Sequence, residues 1–245
     1  VYNGVFKLVN TFTTGSQAAF GNMFARNEKE NIDRNFDSFV LLLHFIGLIL
    51  FISMALLIEP FVMIYTNNVN DVNYSRYAFG ITISIIGFLQ TVRIPFQVIV
   101  YSVGHFKQTK NGAIIETILN VLISLILVKP LGLMGLAIGT LTATLVRTIQ
   151  YSLYVYKNIL LRPSEEIFKR YIITFITGLI SYILFKKLSL SNPYNLKNWF
   201  INGLIIVSIS TITSLFINYI FYKKIFKNLV ISIKNVLKFK KVKRR

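Results

Sequence analysis

Apolar residues gather in six long blocks separated by short polar segments. The blocks span about 38–58, 77–104, 112–128, 133–156, 170–185 and 199–222. At about 1.5 Å of rise per residue, each is long enough, or nearly so, to cross the apolar core of a bilayer as a helix. The third and fifth are short, which predicts thin coverage or tilt. Residues 1–25 carry a weaker pattern, in which Val5, Phe6, Leu8, Val9 and Phe12 interleave with Lys7, Asn10, Thr11, Thr13, Thr14, Ser16 and Gln17. That mixture suits a helix shielded inside a bundle better than one bathed in lipid. The predicted fold is all-α: a membrane-embedded helical bundle with about seven transmembrane helices, one of them polar.

Composition fits a polytopic membrane protein, with 54% apolar residues and a mean hydropathy of +0.59 over 245 residues. There are 27 Lys+Arg against 9 Asp+Glu, a formal charge of +18. In a soluble chain that excess would suggest nucleic acid. Here ten of the basic residues lie in 223–245, and a basic tail beside a membrane reads first as topology. The bilayer and its anionic lipid are the expected partners, and nucleic acid is not. With no cysteine there is no disulfide framework and no thiolate metal site, and no cofactor or metal is expected. The chain begins at Val1 without Met or a signal-peptide pattern, which predicts the C-terminal part of a longer protein.

Charge in the polar segments sets the orientation. Segments 26–37, 105–111, 157–170 and 223–245 carry 3, 2, 4 and 10 Lys/Arg, whereas the alternate segments 59–76, 129–132 and 186–198 carry 1, 1 and 3. The basic set is cytoplasmic on the positive-inside rule, which puts the C-terminus inside and residue 1 outside. Every loop is short. The longest external one holds Asn67, Asn68, Asn70 and Asn73 and reads as a solvated turn. Function must then reside within the membrane region.

Arg93 is the sole charge in Tyr77–Gly104, and Arg147 the sole charge in Leu133–Tyr156. A charge at bilayer depth costs at least ~2.5–3.5 kcal/mol on insertion scales, so it usually faces a cavity or a partner. Both helices run from outside to inside, and both arginines lie roughly 21–24 Å from the outer end at 1.5 Å per residue. They are expected at one level, as two guanidiniums gripping a phosphate or pyrophosphate. The alternative is that each snorkels to the inner headgroups or caps a neighbouring helix. Pro95, flanked by Gln90, Thr91 and Gln97, reads as a hinge lining the same cavity, or as an ordinary transmembrane proline.

Glu116 is the single acid well inside a later block. It is a partner for Arg93 or Arg147, a proton site, or an interfacial residue facing Lys107 or Lys110, and the last reading is preferred. Lys7 is a possible third cavity cation. His44 reads as a buried polar group rather than a proton carrier. Gly132, Gly135 and Gly139, with Ala137, allow close helix approach. A membrane glycosyltransferase or polymerase would want external carboxylates, and the acids there are Glu59 and Asp71. That enzyme reading ranks behind the anion-cavity one, as does a non-catalytic membrane scaffold, which would leave the solitary buried arginines without a purpose.

Several segments together resemble a family. Asn120–Thr140, with its Asn, apolar stretch and Pro-x-Gly-x-x-Gly turn, is similar to a late helix–turn–helix of the multidrug/oligosaccharidyl-lipid/polysaccharide exporter superfamily. Tyr2–Lys7 and Ala25–Glu30 resemble the segments that open and close that family's eighth helix, and Glu59-Pro60 resembles the end of the next. The resemblance covers most of 1–156. It implies the C-terminal lobe of a transporter, with 1–156 as helices eight to twelve, 157–222 as an extra pair of transmembrane helices and 223–245 as a basic cytoplasmic tail. It also implies a flippase for undecaprenyl-pyrophosphate-linked oligosaccharide in the bacterial inner membrane, with a polysaccharide polymerase and glycosyltransferases as neighbours. The drug-extruding branch, a cation-coupled multidrug exporter, is the alternative, and it would want an acidic cavity that this chain lacks.

Overall fold

A computed structural model describes residues 13–67, 74–188 and 193–231. Lys7, Asp71 and the basic tail beyond 231 lie outside the described residues. Those described are helical with no strand, as expected where hydrocarbon offers the backbone no hydrogen bonds of its own. The helices are α1 (Thr13–Ala25), α2 (Lys29–Tyr65), α3 (Tyr77–Ser102), α4 (Phe106–Leu131), α5 (Leu133–Tyr154, extended by a π-turn over Val155–Leu160), α6 (Glu165–Lys187) and α7 (Leu196–Phe221). Six of them, α2 to α7, are long and apolar enough to cross a membrane.

Two helices expected to be short are not. α4 and α6 are 26 and 23 residues long, because each apolar centre continues into polar turns that nothing interrupts. Glu59-Pro60 does not end its helix either. α2 runs through Pro60 to Tyr65 and totals 37 residues, since one proline near a helix end removes a single backbone donor without forcing a stop. At 1.5 Å per residue α2 is about 55 Å long, well beyond a hydrocarbon core of roughly 30 Å.

Short turns with specific backbone geometry close the helix pairs. The α1–α2 break falls at Asn27, which adopts φ 55°, while Glu28 N–H donates to Met23 O at 3.0 Å. This is a Schellman-type end with Asn in the left-handed position. Gly104 repeats it between α3 and α4, with φ 75° and a 3.0 Å bond from His105 N–H to Val100 O. Asn195 caps α7 by accepting from Lys197 N–H at 2.9 Å.

α3 is the centre of the bundle, packed between α2 and α5 with α1 alongside; α4 lies beyond α5, and α6 and α7 lie beyond α2. The core is densest near the basic end, where Phe36, Phe96 and Tyr156 meet with ring centroids 5.6–6.4 Å apart. α4 packs along α5 and turns most of its apolar surface outward. Of the small residues expected here, Gly135 and Gly139 sit at the contact, whereas Gly132 does not: it is the turn residue between α4 and α5, at φ 54° with open space where a Cβ would lie. A Cβ at Gly135 would overlap the Leu127 carbonyl of α4, and one at Gly139 would overlap Ser124.

Candidate functional site: one carboxylate between two arginines

Arg93 on α3, Glu116 on α4 and Arg147 on α5 come together in the membrane-spanning region. Arg93 Nη1 donates to Glu116 Oε1 at 2.7 Å, and Arg147 Nε lies 3.6 Å from Glu116 Oε2. The two arginines thus share a level, brought there by helices that run the same way with α4 threaded back between them in sequence. The preferred reading of Glu116 is corrected: it turns to the arginines, not to Lys107 or Lys110. A carboxylate in apolar surroundings is held far better by two guanidiniums than by exposed, hydrated lysines.

Arg147 is the more deeply held, its side chain 5% exposed. It does not snorkel, but in bonding a backbone carbonyl of α4 it takes up the other half of the alternative, a cap on a neighbouring helix. Nη1 donates to the Thr109 carbonyl at 2.9 Å and to Gln150 Oε1 at 2.6 Å, and the guanidinium carbon sits 4.0 Å from the Tyr151 ring centroid. This geometry depends on Gly112, where a Cβ would overlap both the guanidinium and the Gln150 amide. Spacing could have found Gln150 and Tyr151, which lie three and four residues beyond Arg147 and share its helix face. Nothing in the sequence singles out Gly112, because its role depends on which part of α4 meets α5.

Arg93 is less committed. Its Nε is buried without a hydrogen-bond partner among the described residues. Gln90 and Gln97 lie one turn to either side of Arg93 on the same half-buried face of α3. Pro95 is buried within α3, which continues unbroken past it. Two cations against one carboxylate leave this centre with a net single positive charge, and Glu116, 29% exposed, gives it a route to the surface. An anion with several acceptor oxygens is the ligand such a centre favours.

A second charged cluster, not foreseen as one, joins α2, α6 and the segment between the π-turn and α6. Arg162 reaches Asp33 Oδ1 at 2.8 Å through Nη2 and Asp37 Oδ1 at 2.9 Å through Nη1. Burial alone would lower the Arg162 pKa, but the Asp37 and Asp33 carboxylates outweigh it and raise it above the ordinary value. Leu161, at φ 54°, delivers Arg162 to this position. Arg170, which looks like a loop charge in the sequence, is buried; it donates to the Asp37 carbonyl at 3.2 Å and lies 4.9 Å from the Tyr222 ring centroid. His44 is buried, as expected, stacked on Tyr171 with its Nδ1 3.0 Å from Thr174 Oγ1.

Fold and site together define an all-helical chain with the character of a multi-pass membrane protein and a charged centre enclosed by three of its helices. Compared with family models, curated proteins and solved structures, the chain matches none.

Proposed function

We propose that this chain is the C-terminal lobe of a flippase that moves a lipid-linked, pyrophosphate-bearing oligosaccharide across the bacterial inner membrane by alternating access. The observation that carries this reading is the convergence of Arg93 and Arg147 on a single carboxylate, with one positive charge in excess. A pyrophosphate offers the several acceptor oxygens that two guanidinium forks can bind, while its lipid tail stays in the bilayer. In the resting state Glu116 occupies those forks, and the arriving anion takes its place. Gln90 and Gln97 share the face of α3 that carries Arg93 and are assigned to its cavity with Lys7, and Pro95 is assigned as the hinge. The excess of basic residues at one end puts that end and the C-terminus in the cytoplasm. The undecaprenyl carrier and the partnership with polymerase and glycosyltransferases follow from the resemblance of Asn120–Thr140 and its neighbours to the exporter superfamily. No bond is made or broken, so the protein is not an enzyme on this reading.

The test is flipping of a fluorescent lipid-pyrophosphate oligosaccharide in proteoliposomes. Arg93→Ala and Arg147→Ala should each slow it at least about tenfold, the scale of one lost charge-assisted contact. Arg→Lys at either position should recover only part of the rate, since lysine keeps the charge and loses the fork. Wild-type flipping by both alanine variants, at equal protein levels, would remove the proposal.

A further inference from the structure

Tyr222, at φ −129° and ψ 36°, breaks the chain out of α7. Residues 223–231 then form a further helical segment, opened by a 2.8 Å bond from Phe226 N–H to Tyr222 O. At about 100° per residue, Lys223, Lys224 and Lys227 fall within an arc of about 100°, and Ile225, Phe226, Leu229 and Val230 within about 140° of the remainder. The bend brings the Phe226 ring to 6.3 Å from that of Tyr219. Phe226, Leu229 and Val230 line an apolar gap of about 190 Å³ against Leu41 and Leu42 of α2 and Leu215 of α7. The apolar side of the segment therefore rests on the bundle, and the lysines face away from it.

This seat is incomplete. Helices shorter than about 12–15 residues are marginal in water, so so short a segment needs a partner. Yet none of residues 222–231 is fully buried, and the gap beneath them forfeits packing contacts. Among the described residues, none of the three lysines comes within ion-pair distance of a carboxylate. Arg170, buried against the Tyr222 ring, adds a positive charge that likewise has no carboxylate within that distance. Residues outside the described set do not reverse the sign. Their single acid is Asp71, in the connection at the far end of α2, whereas 232–245 hold lysines and arginines and no acid. Leu41 and Leu42 lie four and five residues beyond Asp37 on α2, about 6–8 Å deeper toward the apolar core. A helix seated there lies at the level of lipid head groups, where a lysine is drawn to negative charge. We infer that the lysine face of 223–231 binds a phospholipid with a net negative head group, which completes the hold that the protein leaves partial. The site uses none of the Arg93–Glu116–Arg147 centre, and the orientation decides only which leaflet supplies the lipid.

Native mass spectrometry of the full chain, released from detergent micelles, counts bound dioleoylphosphatidylglycerol and dioleoylphosphatidylcholine across a titration. The wild type should bind phosphatidylglycerol at least about tenfold tighter than phosphatidylcholine. Lys223→Gln, Lys224→Gln and Lys227→Gln together should remove most of that preference. The same charge loss elsewhere on the basic side, by Lys107→Gln, Lys110→Gln and Lys157→Gln together, should leave it in place. All six lysines are exposed, so neither set disturbs the core. Equal wild-type affinity for the two lipids overturns the inference and gives the face to an acidic protein instead. An undiminished preference in the first triple variant overturns it too, as does an equal loss in the second. sn-Glycerol 3-phosphate should not bind measurably; binding as tight as the lipid's would make this a site for soluble phosphate and overturn the lipid. Failure of the flipping test leaves this result standing, and the converse holds.

Discussion

The two charged clusters use the same residue types to opposite ends. Near the start of α2, Arg162 alone pairs with both Asp33 and Asp37, while the buried Arg170 bonds the Asp37 backbone carbonyl rather than a carboxylate. Between α3, α4 and α5, two arginines face one carboxylate and positive charge is left over. The two are inverses of each other: one arginine between two carboxylates, and one carboxylate between two arginines. On the proposed reading the positive charge left over in the second is what an arriving anion uses, while the first cross-links α2 to the segment that starts α6. The sign of the charge left over says more about a cluster than the presence of a buried arginine does.

The largest effect that tests this contrast is on transport. Loss of either Arg93 or Arg147 should cut flipping without unfolding the bundle, whereas Arg162→Ala should act on stability first. Removing Arg162 leaves Asp33 and Asp37 facing each other, at a cost of about 1–3 kcal/mol, between the values for exposed and fully buried pairs. Thermal unfolding in detergent, followed by Trp199 emission, would show it as a lowered midpoint. If Arg162→Ala melts like the wild type, the Arg162 cluster does not tie the helices.

Glu116→Gln comes next. It removes the built-in competitor for the arginines, so inorganic pyrophosphate should bind roughly tenfold tighter, about 1.4 kcal/mol, in an equilibrium competition assay. It also leaves two largely buried guanidiniums without their carboxylate, so its melting midpoint should fall as well. An unchanged midpoint would show that Glu116 does not hold the three helices together. Gly112→Ala should have a smaller effect, because it displaces the Arg147 guanidinium rather than deleting it. Several-fold slower flipping with a near-normal midpoint is the expected pair of readings. Smallest is Leu161→Gly, which relieves a left-handed leucine and adds unfolded-state freedom, so stability should move by less than about 1 kcal/mol.

How much of this was legible in the chain depends on the scale of the interaction. Apolar block lengths located all six spanning helices, since hydropathy and backbone satisfaction act locally. They misjudged the ends of α4 and α6, where polar turns extend a helix with no apolar signal. Arg93 and Arg147 were readable as anomalies, and helix direction placed them at one depth. Glu116 was readable as one possible partner but not as the actual one, because its choice between lysines and arginines turns on the rotation of α4 about its axis. Arg170 was misread for the same kind of reason: in sequence it looks like one more loop charge, and only the packing of α6 on α2 buries it.

The π-turn that ends α5 has a consequence for chain length. Over Val155–Leu160 the helix takes one residue more per turn than its neighbours, and Arg162 follows directly. An α-helix advances about 100° per residue, so deleting one residue between 155 and 160 would swing everything beyond it by about that angle. Arg162 would then point away from Asp33 and Asp37, though every side chain in the cluster were kept. The pairing that joins the first half of this bundle to the second is thus registered by a residue count, and an insertion or deletion there would undo it where most substitutions would not.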